Sequence, residues 1–169
     1  RHPLMLAKEA MSIDHISDGR FILGLGAGAT GYDATAYGDE PLTPGQRAER
    51  FEDYASVLDG LLRNELTDHR GPWYTVEGGR VLPGCVQRPR LPLALAAGGS
   101  RTIALVAALA DAFDTLGDPV SPPTSTAHYL DMVSGQAAEL AAACAAFGRH
   151  PTEIERIGFI PSSFPSAMA

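Results

Sequence analysis

The chain has 169 residues, 45% of them hydrophobic and 20% charged, with a formal net charge of −7. That composition is ordinary for one globular domain, and the acidic balance speaks against a nucleic-acid partner, because such modules are usually basic. No apolar run approaches the ~18 residues of a membrane span, and no charged-then-apolar leader opens the chain.

The first element expected is a helix over residues 3–18. Pro3 suits the first helical position, Leu6, Ala10, Ile13 and Ile16 recur at helical spacing, and Gly19 suits the residue after the end. A short strand over 20–25 follows, with Phe21, Ile22 and Leu23 apolar in succession, as in a parallel sheet covered on both faces. Thr43-Pro44-Gly45-Gln46 is a capping box. Behind it Phe51, Tyr54, Ala55, Leu58, Leu61 and Leu62 mark a helix over 44–63. The run PWYTVEGGRVLP reads as a hairpin turning at Glu77–Arg80. A strand at 92–97, a helix over 102–110, a short strand in DAFDTLGDP, a long helix and a last strand in ERIGFIP complete the order. The stripe of the long helix is Val133, Ala137, Leu140, Cys144 and Phe147. Strands alternating with helices imply βαβ units and a parallel sheet. The chain opens on a helix and closes on a strand, so both ends read as cut. The strand at 20–25 and the strand near 156–160 are then expected at the edges of the piece.

Cys85 and Cys144 are far apart and fit two buried thiols of a reducing compartment, with a structural disulfide as the alternative; a cytoplasmic location is the expectation. The five histidines have no metal-ligand spacing, so no metal is expected.

Gly26-Ala-Gly28-Ala-Thr-Gly31 matches G-x-G-x-x-G. A dinucleotide fingerprint, however, needs a helix at its third glycine and an acid ending a second strand about 20 residues on. Here Gly38, Pro41 and Pro44 break any helix before Thr43, and the later region is helical. A Rossmann-type NAD(P) dehydrogenase is therefore the weaker reading. Glycines at a strand exit serve either tight packing or the close approach of backbone to a ligand. The theme recurs at Gly98-Gly99-Ser100-Arg101-Thr102, where a helix starts at once. Free N–H groups, two hydroxyls and a guanidinium there suit an anion, and an ordinary capped turn is the equal alternative. Arg47 falls in the first turn of its helix, on the side of Phe51 and Tyr54. A cation is disfavoured at that positive end, so it calls for an anion, unless it reaches solvent or pairs with Asp39 or Glu40.

The segment HPLMLAKEAMSIDHISDGRFILGLGAG resembles the helix-to-strand signature of the bacterial-luciferase-like monooxygenases. The Arg47–Leu62 helix, the WYTV hairpin, PLALAAGG and ALAD follow in that family's order. The resemblance runs from residue 1 to about 117, and more faintly to 160. It implies a (β/α)8 TIM barrel of which this chain would cover the third helix through the seventh strand, with an inserted hairpin. Residues 1–169 would be a single partial barrel domain, truncated at both ends. It further implies a flavin- or F420-dependent oxidoreductase or monooxygenase, with FMN or F420 as cofactor and a small organic molecule as substrate. The intact protein would be a homodimer, with the 3–18 helix near the subunit interface and its wide apolar set, Leu4, Met5 and Met11 included, as a second buried face. No membrane or nucleic acid is implied. The family's cofactor-phosphate site falls here on Ala27, Gly28 and Ala29, on Arg47, and on Gly98, Gly99, Ser100, Arg101 and Thr102. Bacterial luciferase has a basic residue at the position of Ala27, and this chain departs from it there. No catalytic acid or base is assignable; Asp114 and Asp118 are candidates by location only, against a reading as solvated turn acids. A non-catalytic, truncated remnant of such a barrel is the alternative from another class.

Overall fold

A computed structural model describes residues 1–28, 35, 36, 38, 40–115 and 124–158. The chain divides into two compact units, 1–93 and 94–169.

In the first unit, helix α1 (Pro3–Ile16) is capped by the His2 ring, which accepts from the Leu4 N–H. It ends where Asp18 and Gly19 take positive φ and the Gly19 N–H donates to the Asp14 carbonyl. Strand β1 spans Leu23–Gly26, and helix α2 spans Pro44–Arg63 behind its capping box. The Thr43 N–H donates to Gln46 Oε1 at 2.9 Å and the Gln46 N–H to Thr43 Oγ1 at 3.3 Å. α1 packs on α2. Of the expected Leu6–Ala10–Ile13–Ile16 stripe, only Ala10 lies in the buried face of α1. The buried residues are Pro3, Ala7, Ala10, Met11 and Asp14, while Ile13 is 42% and Ile16 84% exposed. Fully buried alanines let two helix axes approach closely, and that geometry turns the bulkier branched residues outward.

The hairpin also differs from expectation. Strands β2 (Thr67–Arg70) and β3 (Thr75–Gly79) are antiparallel, and the chain turns at Gly71–Tyr74, not at Glu77–Arg80. Asp53 of α2 sets that turn. Its Oδ2 accepts from the Trp73 and Tyr74 N–H groups at 2.8 Å each, and its Oδ1 lies 2.6 Å from His69 Nε2. A Cβ on Gly71 would fall on the Asp53 carboxyl, so only glycine fits there. The Glu77-Gly78-Gly79 run belongs to β3, where a side chain on Gly79 would strike Val76 and Leu61.

The lead-in to the next strand is fixed by two buried polar centres. Asp14, wholly buried, accepts from the Val86 and Gln87 N–H groups at 2.7 and 3.1 Å, and from the Gln87 amide at 2.7 Å. That amide also donates to the Phe21 carbonyl. Arg90, 3% exposed, bonds Asp59 at 2.6 Å and the Leu91 carbonyl at 2.8 Å. Both thiols, Cys85 in this unit and Cys144 in the other, are buried and free.

In the second unit, strands β4 (Leu93–Ala96), β5 (Ala112–Thr115) and β6 (Glu155–Gly158) are successive and parallel. Helix α3 (Ser100–Leu109) joins β4 to β5, and helix α4 (Thr126–Ala146) with a 3-10 turn (Pro151–Glu153) joins β5 to β6. α3 and α4 pack together. Arg149 donates to the Ala107 and Ala110 carbonyls at 3.0 Å each, satisfying groups that the end of α3 leaves open. The buried stripe of α4 is Tyr129, Gln136, Leu140 and Cys144; Phe147, expected inside, is 51% exposed. All four residues of β6 are exposed. Among the described residues of this unit, β6 pairs with β5 alone. Across the parallel register, Leu95 and Phe113 put fully buried bulk on one face, while Ala94, Ala96, Ala112 and Asp114 share the other.

Candidate functional site

In the first unit the β1 exit follows a strand whose Leu23 N–H donates to the Pro92 carbonyl. Ala27 is half-buried, and Gly28 is exposed with φ +77, a conformation that glycine adopts without penalty. Among the described residues nothing lies within 4 Å of where a Gly28 Cβ would stand. Ala29 and Gly31 lie outside the described residues, as does Asp118. Arg47 is half-buried in the first turn of α2, and its guanidinium donates to the Leu42 carbonyl at 2.8 Å. A neutral carbonyl at this positive helix end leaves the guanidinium's charge uncompensated by that contact.

In the second unit Gly98, Gly99, Ser100 and Arg101 are exposed and Thr102 is half-buried. Gly99 caps α3 without a side chain, at φ −119 and ψ 160. Any residue adopts that conformation, and no atom lies within 4 Å of a built Gly99 Cβ. Neither backbone nor packing among the described residues therefore demands glycine there. The Thr102 hydroxyl closes the turn, donating to the Gly99 carbonyl at 2.9 Å and accepting from its N–H at 3.4 Å. This turn stands at the head of a helix and at the C-terminal end of a parallel strand, where barrels and open α/β sheets bind ligands.

Asp114 is not a turn acid. It sits in β5, in register with Ala96 and Ile157, and its Oδ1 is buried with no hydrogen-bond partner among the described residues. Its neighbour Thr115 donates its hydroxyl to the Ile157 carbonyl.

Sequence reasoning missed Asp14 and Asp53, the two acids that organise the first unit. For Asp14 a signal existed, since it continues the Ala7–Ala10–Met11 face at helical spacing. Nearby, Tyr54 stacks edge-on against Tyr74 with ring centroids 5.2 Å apart. Its hydroxyl is pushed up to about 12, first by burial and then by Tyr74. Burial also raises both thiols, Cys85 and Cys144, which removes them as thiolate nucleophiles. No group of three His, Cys, Asp or Glu side chains is placed to hold a metal ion among the described residues, and none of their helices is long and apolar enough to cross a membrane.

The family model for luciferase-like monooxygenases matches residues 1–164. The chain belongs to that family. It is 31% identical over 157 residues to a pyrimidine monooxygenase, RutA, of Methylobacterium radiotolerans, covering 89% of this chain and 38% of the relative. The chain thus spans about two-fifths of the length of that curated relative. Among solved structures, it resembles the coenzyme F420 dependent tetrahydromethanopterin reductase of Methanopyrus kandleri, with a TM-score of 0.71 at 17% identity. That alignment covers 94% of this chain and 46% of the reductase. A riboflavin lyase, RcaE, solved with modified FMN and riboflavin, gives a TM-score of 0.69 at 18% identity, over 94% of this chain and 38% of the lyase. The fold is therefore part of a luciferase-like TIM barrel, and the glycines after β1 belong to that fold. The dinucleotide-binding alternative has no support.

Proposed function

We propose that the intact protein is an oxidoreductase of the luciferase-like class, using FMN or F420 on a small organic substrate. The observation that carries this is Gly99, a glycine that no described residue requires by packing, at the head of a helix in a member of this family. Backbone donors from Gly99 to Thr102 would hold the cofactor phosphate, with Ser100 and Arg101 as side-chain donors. Ala27, Gly28, Ala29 and Arg47 are proposed to contribute to phosphate binding as well, Arg47 through its charge. When bound, reduced FMN would supply oxygen activation and F420 a hydride; the protein supplies position, electrostatics and exclusion of water.

A pyrimidine substrate is a second reading, favoured by the 31% identity to a pyrimidine monooxygenase. A homodimer in a cytoplasmic setting belongs to the same proposal. It is motivated by the exposed Met5, Ile13 and Ile16 on α1, and light scattering at micromolar concentration would test it. For the cofactor, the intact protein is titrated with FMN, F420 and NADPH, following bound absorbance and fluorescence quenching. Saturable binding of FMN or F420 supports the reading. Binding of NADPH alone removes it in favour of a dinucleotide-dependent dehydrogenase, and binding of none of the three removes it and leaves a non-catalytic barrel.

A further inference from the structure

Three strands end side by side in the second unit, and their last in-register layer has an unusual make-up. Ala96, Asp114 and Ile157 align across β4, β5 and β6. In the layer beneath, Ala94 and Ala112 are buried, at 8% and 4% exposure, and the Glu155 aligned with them on β6 is exposed. The upper layer is open, with Ala96 and Asp114 half-buried and Ile157 40% exposed. Strand alternation separates this face from the one filled by Leu95 and Phe113. The result is a floor of small and apolar side chains carrying a single polar group. That group is Asp114, whose Oδ1 is buried and finds no donor among the described residues. Leaving a buried acceptor unpaired costs on the order of 1–3 kcal/mol, a cost that a donor on a ligand would remove. The Ala97 N–H bonds the Asp114 carbonyl, so the residue stands next to the strand end that runs into Gly98–Thr102.

From this layer we infer that Asp114 is a ligand-recognition residue: its Oδ1 accepts a hydrogen bond from the ring N–H of a flat, imide-bearing heterocycle lying on the Ala96–Asp114–Ile157 floor. The inference rests on the oxidoreductase reading above and adds to it the edge of the ring that this chain recognises. Two molecules of that reading carry such an N–H, the uracil-like end of a flavin or deazaflavin and a free pyrimidine of the uracil type. Both present a planar apolar face and an N–H donor, which is what a small-residue floor with one acceptor would select. An aliphatic substrate with no donor would leave Asp114 Oδ1 unpaired and gain nothing from it.

The test uses the intact protein and its Asp114→Ala and Asp114→Asn variants, with FMN, N3-methyl-FMN, F420 and uracil as probes. If the cofactor ring is the ligand, the wild type binds FMN about tenfold tighter than N3-methyl-FMN, the scale of one hydrogen bond. Asp114→Ala then binds the two alike. Should uracil be the ligand, FMN and F420 affinities stay within twofold in both variants, while the KM for uracil rises about tenfold at little change in kcat. If F420 replaces FMN as the bound cofactor, the same loss on Asp114→Ala is read with F420. Thermal unfolding accompanies each measurement; a variant whose melting temperature rises while every affinity stays within twofold overturns the inference and leaves Asp114 a strained structural acid. Binding of neither FMN nor F420 by the wild type is a separate failure: it removes the oxidoreductase reading and the role of Asp114 with it.

Discussion

At the hairpin corner of the first unit, a buried carboxyl is surrounded by donors; at the end of β5 in the second, a buried carboxyl oxygen has none among the described residues. Asp53 receives the Trp73 and Tyr74 N–H groups and lies 2.6 Å from the His69 ring, whereas Asp114 Oδ1 is unpartnered among the described residues. The glycines beside these regions divide the same way. The place of a Gly71 Cβ is taken by Asp53, and the place of a Gly99 Cβ is empty. Where the chain supplies every partner, the polar group serves the fold. Where the described residues supply none, as at Asp114 Oδ1, the role proposed above is to meet a ligand's donor.

The sharpest way to break this comparison is Asp53→Ala in the intact protein. It strands two backbone donors and a histidine inside, so a loss of about 3–5 kcal/mol in urea unfolding is expected. A loss below about 1 kcal/mol would mean the corner is not held by Asp53. Next comes Arg47→Ala, which should weaken FMN by about 1.5–3 kcal/mol, the scale of a charge-assisted hydrogen bond, and leave riboflavin nearly unaffected. Equal losses for both ligands in fluorescence titrations would place the effect in the fold. The glycine pair gives a smaller contrast. Gly71→Ala should cost about 1–3 kcal/mol of stability through overpacking, while Gly99→Ala should cost less than about 1 kcal/mol and still weaken FMN. Stability losses of the same size at both positions would erase the distinction. The smallest effect is spectroscopic. Tyr54 should ionise near 12 instead of 10, seen in the ultraviolet tyrosinate band. Because its folded value is raised, its contribution to stability is complete below pH 10 and is lost as pH rises through 12. A tyrosine titration with every group near 10 would contradict the packed Tyr54–Tyr74 pair.

Local signals in the sequence carried the helices furthest. α2 begins and ends where Thr43–Gln46 and the Phe51–Leu62 spacing place it, because a capping box and a periodic stripe are both local. β4, α3 and β5 were legible for the same reason. The hairpin turn was not, because β2 reads Thr-Asp-His-Arg, without apolar alternation, and its turn is fixed by Asp53 from another element. The α1 face was misread because hydrophobicity ranks isoleucine above alanine, while helix–helix contact there selects the small residues. For the site, the glycine turn at Gly98–Thr102 was visible from its strand-to-helix context. The Thr102 hydroxyl bonds Gly99 within the same turn, but the isolation of Asp114 Oδ1 among the described residues depends on packing between strands and left no local trace. Asp14 gathers donors from Val86 and Gln87, more than seventy residues away, and that partnership is likewise invisible in a linear reading.

The central claim is that the Gly98–Thr102 turn and Arg47 serve a phosphorylated flavin-type cofactor. One measurement tests it most directly: fluorescence titration of the intact protein with FMN, riboflavin and F420 under identical conditions. The account predicts saturable binding of FMN or F420, with FMN, if it is the cofactor, at least about tenfold tighter than riboflavin, the equivalent of about 1.4 kcal/mol from the phosphate. Equal affinity for FMN and riboflavin, or no binding of FMN or F420 at all, would contradict it.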